Sequence, residues 1–152
     1  MMSPENKSES TVQDFQTETL ELDASDYPDI VPYIAVVAAA RAKITKIKNV
    51  ERLRFKECDR VEATIKALAA VGVKAEEQDG TLVIQGGLLY EHGTPSIETF
   101  GDHRMAMTAC LIAAWTGRTV YIDNKDCVNK SFPGLFELIE KSTKLADNGT
   151  KE

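Results

Sequence analysis

The sequence predicts an α/β fold assembled from two copies of one unit. Two observations carry that prediction. Apolar segments of helix length alternate with short segments rich in Ile and Val through the middle of the chain. The order then repeats: Asp29 precedes an Ala-rich helical segment, a strand and, 27 positions on, Lys56 before another helix. Asp102 opens the same series, with Lys130 coming 28 positions later. An offset near 73 with matched element order marks an internal repeat. The second copy is expected to stop after its last helix and the first to lack its opening elements, so the chain is expected to be a piece of something larger.

Residues 1–17 are polar and aperiodic and are expected to form a flexible tail. A second polar tail is expected over 146–152, which leaves 18–145 as one partial domain. Thr19, Leu20 and Leu22 predict a short strand over Thr19–Asp23, ending in the turn-prone Ala24-Ser25-Asp26. Ile30–Ala42 is nearly all apolar and Ala-rich; it predicts a buried helix in which Pro32 falls in the tolerant first turn. Lys43–Val50 sets Ile44, Ile47 and Val50 among lysines and predicts a strand plus turn. A helix from about Asp59 to Val71 follows, with Val61, Ile65 and Leu68 on one face and Gly72 as its stop. Val73–Glu77 and Thr81–Gln85 flank Gln78-Asp79-Gly80, a hairpin signal. Gly86–Thr94 is expected to be loop. A third helix covers His103–Trp115 and stops at Gly117, Arg118–Ile122 is expected as strand, and Gly134–Leu145 as the last helix.

With 152 residues, 43% of them hydrophobic, the chain is long enough for one domain with a real core. Its 18 basic and 24 acidic residues give a net charge of −6, which argues against a general nucleic-acid binder. Three cysteines, Cys58, Cys110 and Cys127, show no metal-like pairing and are expected to be reduced thiols of a cytoplasmic protein. Cys127 is expected in a loop. The longest apolar runs, Ile34–Ala40 and Ala109–Trp115, are too short to span a bilayer, and no membrane partner is expected. The polar N-terminal residues have no signal-peptide core.

The charges are placed unusually. Arg54–Arg60, Gly101–Met105 and Asn129–Pro133 each put a cation at or just before a helix N-terminus. The helix dipole disfavours that by ~0.3–1 kcal/mol each time, and three occurrences point to a shared anionic ligand. A plainer reading stands beside it: Asp29, Asp59 and Asp102 are each good N-caps, and Arg60 and Arg104 could pair with them at the surface. His92 and His103 have no ligand spacing, and no metal site or glycine-rich phosphate loop is evident.

The segments Leu53–Arg60 (LRFKECDR), Gly101–Met107 (GDHRMAM) and Lys130–Phe136 (KSFPGLF), preceded by Asp23 and Pro28-Asp29, resemble the EPSP synthase family, the 3-phosphoshikimate 1-carboxyvinyltransferases. The resemblance runs from about Leu20 to Ile139. It implies repeated βαβαββ units of an inside-out α/β barrel domain, about two of three repeats being present. It also implies transfer of the enolpyruvyl group of phosphoenolpyruvate to the 5-hydroxyl of shikimate 3-phosphate with release of phosphate, without metal or organic cofactor. That chemistry needs a base, an acid that protonates a methylene carbon, and cations around a phosphate and a carboxylate.

Residue by residue, Asp29 matches the family's carboxylate near the 5-hydroxyl. Lys56 and Glu57 match its lysine–glutamate pair, with Glu57 the proton donor and Lys56 a substrate contact. Asp29 and Lys56 thus fall on the shikimate 3-phosphate side. Arg60, Arg104 and Lys130 match the cations that hold phosphoenolpyruvate, with His103 beside them. Cys58, Gly101 and Arg52 depart from the usual pattern at fine substrate contacts. The resemblance further implies a missing N-terminal domain of the same enzyme as partner, and little activity in the chain by itself. Two other readings compete. A transferase acting on a UDP-sugar shares the fold, but the KECDR and GDHRM segments favour the shikimate branch. A non-catalytic anion-binding module would have no need of Asp29 and Glu57.

Overall fold

The computed structural model describes residues 19–41, 43–87, 93–130, 132–138 and 141. The 1–17 and 146–152 tails and His92 lie outside them.

The first unit is complete, contrary to the expectation that its opening elements are lacking. Strand β1 (Leu20–Asp23) leads through a 3-10 turn (Pro28–Ile30) into helix α1 (Val31–Ala40) and then strand β2 (Ile44–Lys48). β1 and β2 pair in parallel, Leu22 opposite Ile47, so α1 is their crossover. A second 3-10 turn (Glu51–Phe55), helix α2 (Arg60–Ala69) and the hairpin β3 (Lys74–Gln78) and β4 (Thr81–Gln85) follow. This is a βαβαββ unit, and its sheet order is β1-β2-β4-β3. The hairpin turn is Asp79-Gly80, both at positive φ (50° and 76°), the conformation a two-residue turn between twisted strands requires.

The sheet buries Thr45 and Ile47 of β2 and Leu82 and Ile84 of β4 against α1 and α2. Ile47 faces Leu82, and Thr45 faces Ile84. Ile44 lies on the outer face, since period-2 alternation from the buried Ile47 selects Thr45 instead. The Thr45 hydroxyl takes an Arg41 Nη1 hydrogen bond at 3.2 Å. α1 packs almost all round, with Val31, Pro32, Ala35, Val36, Ala38 and Ala39 buried. α2 buries Val61, Ala63, Ala67 and Leu68, while Ile65 sits half out at the edge of that face. The fully buried Val, Leu and Ile side chains among these contribute about 1.5–3 kcal/mol each.

The second unit begins with β5 (Ser96–Ile97), which falls just past the expected loop and which the sequence reading did not contain. It pairs in parallel with β6 (Tyr121–Ile122), across helix α3 (His103–Thr116). The strand expected over Arg118–Ile122 is therefore reduced to its last two residues. Each of these strands holds only two paired residues, too few for a pattern. Gly117 ends α3 in the left-handed region (φ 66°), donating to Ala113 O. Thr99, fully buried, donates its N–H and hydroxyl to Asp123 Oδ1 at 2.9 and 2.8 Å, which ties the entry of α3 to the exit of β6. A 3-10 turn (Lys125–Lys130) packs on α3, and residues 135–138 are helical. Cys127 is not a loop thiol: it is buried in that turn with Ala106 and Val128. The rest of the expected 134–145 helix lies largely outside the described residues.

Candidate functional site

The N-termini of α2 and α3 meet, and a single carboxylate joins them. Asp102 is the N-cap of α3 and accepts the Arg104 N–H through Oδ1 at 3.0 Å. The same oxygen lies 3.2 Å from Arg60 Nη2, and Oδ2 lies 2.7 Å from Arg60 Nε. Arg60 is the first residue of α2, held in place by the Asp59 cap, which accepts from Glu62 N at 3.1 Å. Arg60 and Asp102 are 2% and 0% exposed. Burial alone would raise the Asp102 carboxyl, but the Arg60, Arg104 and Cys58 hydrogen bonds outweigh it and hold it below the ordinary carboxylate range.

The outer edge of the Arg60 guanidinium carries two further acids. Nη1 lies 3.1 Å from Asp29 Oδ1, and Nη2 lies 2.6 Å from Glu57 Oε2. Lys56 Nζ approaches the same Asp29 oxygen at 3.8 Å. Asp29 and Glu57 side chains are 51% and 52% exposed, so the cluster opens to solvent on their side. Four of the residues singled out in the sequence, Asp29, Lys56, Glu57 and Arg60, thus stand together, drawn from two segments.

The second unit's residues border this cluster. His103 Nδ1 is 3.7 Å from Asp102 Oδ1, and Arg104 follows it in the first turn of α3. Among the described residues, no acid is paired with the Arg104 guanidinium. Lys130 ends the 3-10 turn that packs on α3; its side chain lies outside what is described. Arg52 donates to Ser25 O at 2.8 Å.

Two sequence expectations change here. Asp29 is not a helix cap: it sits inside the 3-10 turn, α1 is capped by Ile30 without a side-chain bond, and Asp29 turns to Arg60 and Lys56. Arg60 does pair with aspartates, but as a buried group rather than at the surface. Asp102, expected as a cap or a surface partner, is instead the buried partner of Arg60 across 42 positions. Its register, 73 positions from Asp29, was the available signal. An apolar cleft of about 520 Å³ lined by Ala109, Cys110, Ala113, Val120 and Phe136 runs beside α3 and includes none of these charged residues.

Fold and site together define a repeat-built α/β protein whose acids and cations gather where helix N-termini converge. The family model for EPSP synthase (3-phosphoshikimate 1-carboxyvinyltransferase) matches residues 2–139. The chain belongs to that family. It is 36% identical over 132 residues to the 3-phosphoshikimate 1-carboxyvinyltransferase of Clostridium novyi, covering 87% of this chain and 30% of the relative. With the enzyme of that name from Archaeoglobus fulgidus the identity is 42% over 125 residues, 82% of this chain and 29% of the relative. The solved EPSP synthase of Acinetobacter baumannii superposes with a TM-score of 0.64 at 25% identity, over 75% of this chain and 27% of that one. The chain spans about three tenths of the length of the curated relatives it matches. Among the described residues no helix is long and apolar enough to cross a membrane.

Proposed function

We propose that this chain supplies the phosphoenolpyruvate half-site and the proton-transfer acids of a cytoplasmic shikimate-pathway enzyme serving aromatic amino acid biosynthesis. That enzyme transfers the enolpyruvyl group of phosphoenolpyruvate to the 5-hydroxyl of shikimate 3-phosphate and releases phosphate. The observation that carries the reading is the convergence of Asp29, Lys56, Glu57 and Arg60 on one solvent-open cluster against the first turn of α3.

In this reading Arg104, Arg60 and Lys130 hold the phosphate and carboxylate of phosphoenolpyruvate, with His103 beside them. An arriving anion competes with Asp29 and Glu57 for the outer N–H groups of Arg60, which a planar guanidinium offers bidentately. Displaced from Arg60, Glu57 takes up a proton from solvent and gives it to the methylene carbon as the hydroxyl oxygen adds to the carbon bearing phosphate. Asp29 takes the proton that the hydroxyl loses, and Lys56 contacts the same substrate. Elimination then returns a proton from the new methyl group and expels phosphate.

In an open half-site Lys56 and Arg104 stay in contact with water, where a charge pair at 4 Å is worth only ~1 kcal/mol, so phosphoenolpyruvate binds the chain at about millimolar strength. The test has two arms. Phosphoenolpyruvate is titrated into the labelled chain, with shifts expected at Asp29, Lys56, Glu57, Arg60 and Arg104 that added salt abolishes. Phosphate release is then followed with both substrates, alone and after adding the portion of the Clostridium novyi relative that this chain does not match. Silence of those resonances, or steady turnover by the chain alone, overturns the half-site reading.

A further inference from the structure

The two edges of the Arg60 guanidinium stand in different surroundings. Its inner edge meets Asp102, Nε at 2.7 Å from Oδ2 and Nη2 at 3.2 Å from Oδ1, with both side chains shut off from water. Its outer edge meets Asp29 and Glu57, each about half exposed. We propose that Asp102 is a positioning residue for anion recognition: it grips the inner edge of Arg60 and fixes the plane and direction in which the outer edge is offered to a carboxylate or phosphate. This rests on the reading of Arg60 as a phosphoenolpyruvate contact.

Asp102 is suited to a permanent grip. A carboxylate has about four acceptor positions, and here all are used. Oδ1 takes Arg60 Nη2 and Arg104 N–H, the latter at 3.0 Å; Oδ2 takes Arg60 Nε and the Cys58 thiol, the latter at 3.3 Å. Turning the carboxylate would abandon several hydrogen bonds away from water at once, which is costly. Asp29 and Glu57 carry no such penalty, because water replaces whatever they release. Competition by a ligand anion therefore takes place at the outer edge alone. The Arg104 N–H contact adds a second consequence: the same carboxylate fixes Arg60 relative to the first turn of α3. A guanidinium held flat by one edge has already lost the torsional freedom that a free arginine would surrender on binding.

The experiment uses the whole chain, with phosphoenolpyruvate as the probe. Two-dimensional NMR follows the Arg60 Nε–H during the titration. It is expected to stay protected from exchange while the Nη signals move; loss of Nε–H protection at saturation overturns the proposal, because Asp102 then lets go. Asp102→Asn is expected to weaken binding at least ~10-fold. Arg60→Lys, which keeps the charge but loses the fork, is expected to weaken it similarly, and the double variant no further. Additive losses overturn the proposal, since Asp102 would then act without Arg60; a purely structural Asp102 gives that pattern together with a lowered melting temperature. If Asp102→Asn does not fold, the Nε–H titration of the parent chain decides alone. Arg60→Lys binding as tightly as the parent removes Arg60 from the site, a failure of the underlying reading that the Asp102 measurements keep separate.

Discussion

The Cys58 thiol donates to Asp102 Oδ2 at 3.3 Å, sharing that oxygen with Arg60 Nε at 2.7 Å. Only the neutral thiol can do this; a thiolate would face a carboxylate. Burial first, then the hydrogen bond and charge of Asp102, push the thiol up to about 12. Iodoacetamide at pH 8 is therefore expected to modify Cys58 at least ~100-fold more slowly in the folded chain than after denaturation, because the thiolate is the nucleophile. Peptide mapping by mass spectrometry reads this out. The unfolded thiol ionises first, so the contribution is full below about pH 8.5 and drains away as pH climbs toward the folded value.

Removing Arg60 strands Asp102. Its carboxylate is completely buried, and the guanidinium supplies two of its hydrogen bonds. Arg60→Ala is expected to cost about 3–5 kcal/mol, the range for leaving a buried charge without its partner. Urea denaturation measures it, with the midpoint falling and the slope unchanged. The intact pair also fixes an acid limit. The Asp102 carboxyl is held below its ordinary range, so its contribution is present above about pH 4 and is lost as pH falls through the folded value. A melting temperature that is flat from pH 5 to pH 2 would count against the pair.

Gly86 is required by close approach. A Cβ there would lie 1.7 Å from Arg41 O and 2.6 Å from Ala38 O, both backbone atoms at the end of α1 that cannot swing aside. Gly86 N also donates to Lys43 O at 3.0 Å, so the segment cannot simply retreat. Gly86→Ala is expected to destabilise by ~1–3 kcal/mol through overpacking. Thermal denaturation checks it, as a fall in the melting temperature relative to the parent chain.

What the sequence made legible was local. The Asp79-Gly80 turn, the Gly117 stop and the Pro32 first turn follow from the backbone preferences of single residues, and all three stand where expected. The inner face of β2 was not legible: Ile44 outranks Thr45 in hydrophobicity, but Arg41 satisfies the Thr45 hydroxyl and the strand period does the rest. β5 was invisible because its strength lies in Thr99 and Asp123 hydrogen bonds, 24 positions apart, rather than in any pattern. At the site, cations at helix starts stand out in the sequence, because the helix dipole disfavours them. That Arg60 would be buried, with Glu57 joining two aspartates around it, was not legible, because those contacts depend on how α1, α2 and α3 pack.

The acids on the outer edge of Arg60 give the sharpest functional test. In the proposed function Glu57 delivers a proton to carbon and Asp29 serves the attacking hydroxyl; both half-exposed acids sit within 3.1 Å of the buried Arg60 guanidinium. Grafting this chain's matching segment into the Clostridium novyi relative provides an enzyme in which turnover can be measured. There Glu57→Gln, or Asp29→Asn, is expected to lower kcat by at least ~100-fold, the low end for losing general acid–base help, with the KM for phosphoenolpyruvate not raised, since a neutral side chain competes less for Arg60. Both replacements keep the size of the side chain and its place near Arg60, so a loss of packing would not imitate the result. Arg104→Ala is expected to do the reverse, raising that KM while sparing kcat, because in the proposed function its guanidinium holds phosphoenolpyruvate, and among the described residues no acid is paired with it. Near-normal kcat in the Glu57 variant would remove it from the proton transfer and leave it as no more than a placeholder for the anion on Arg60.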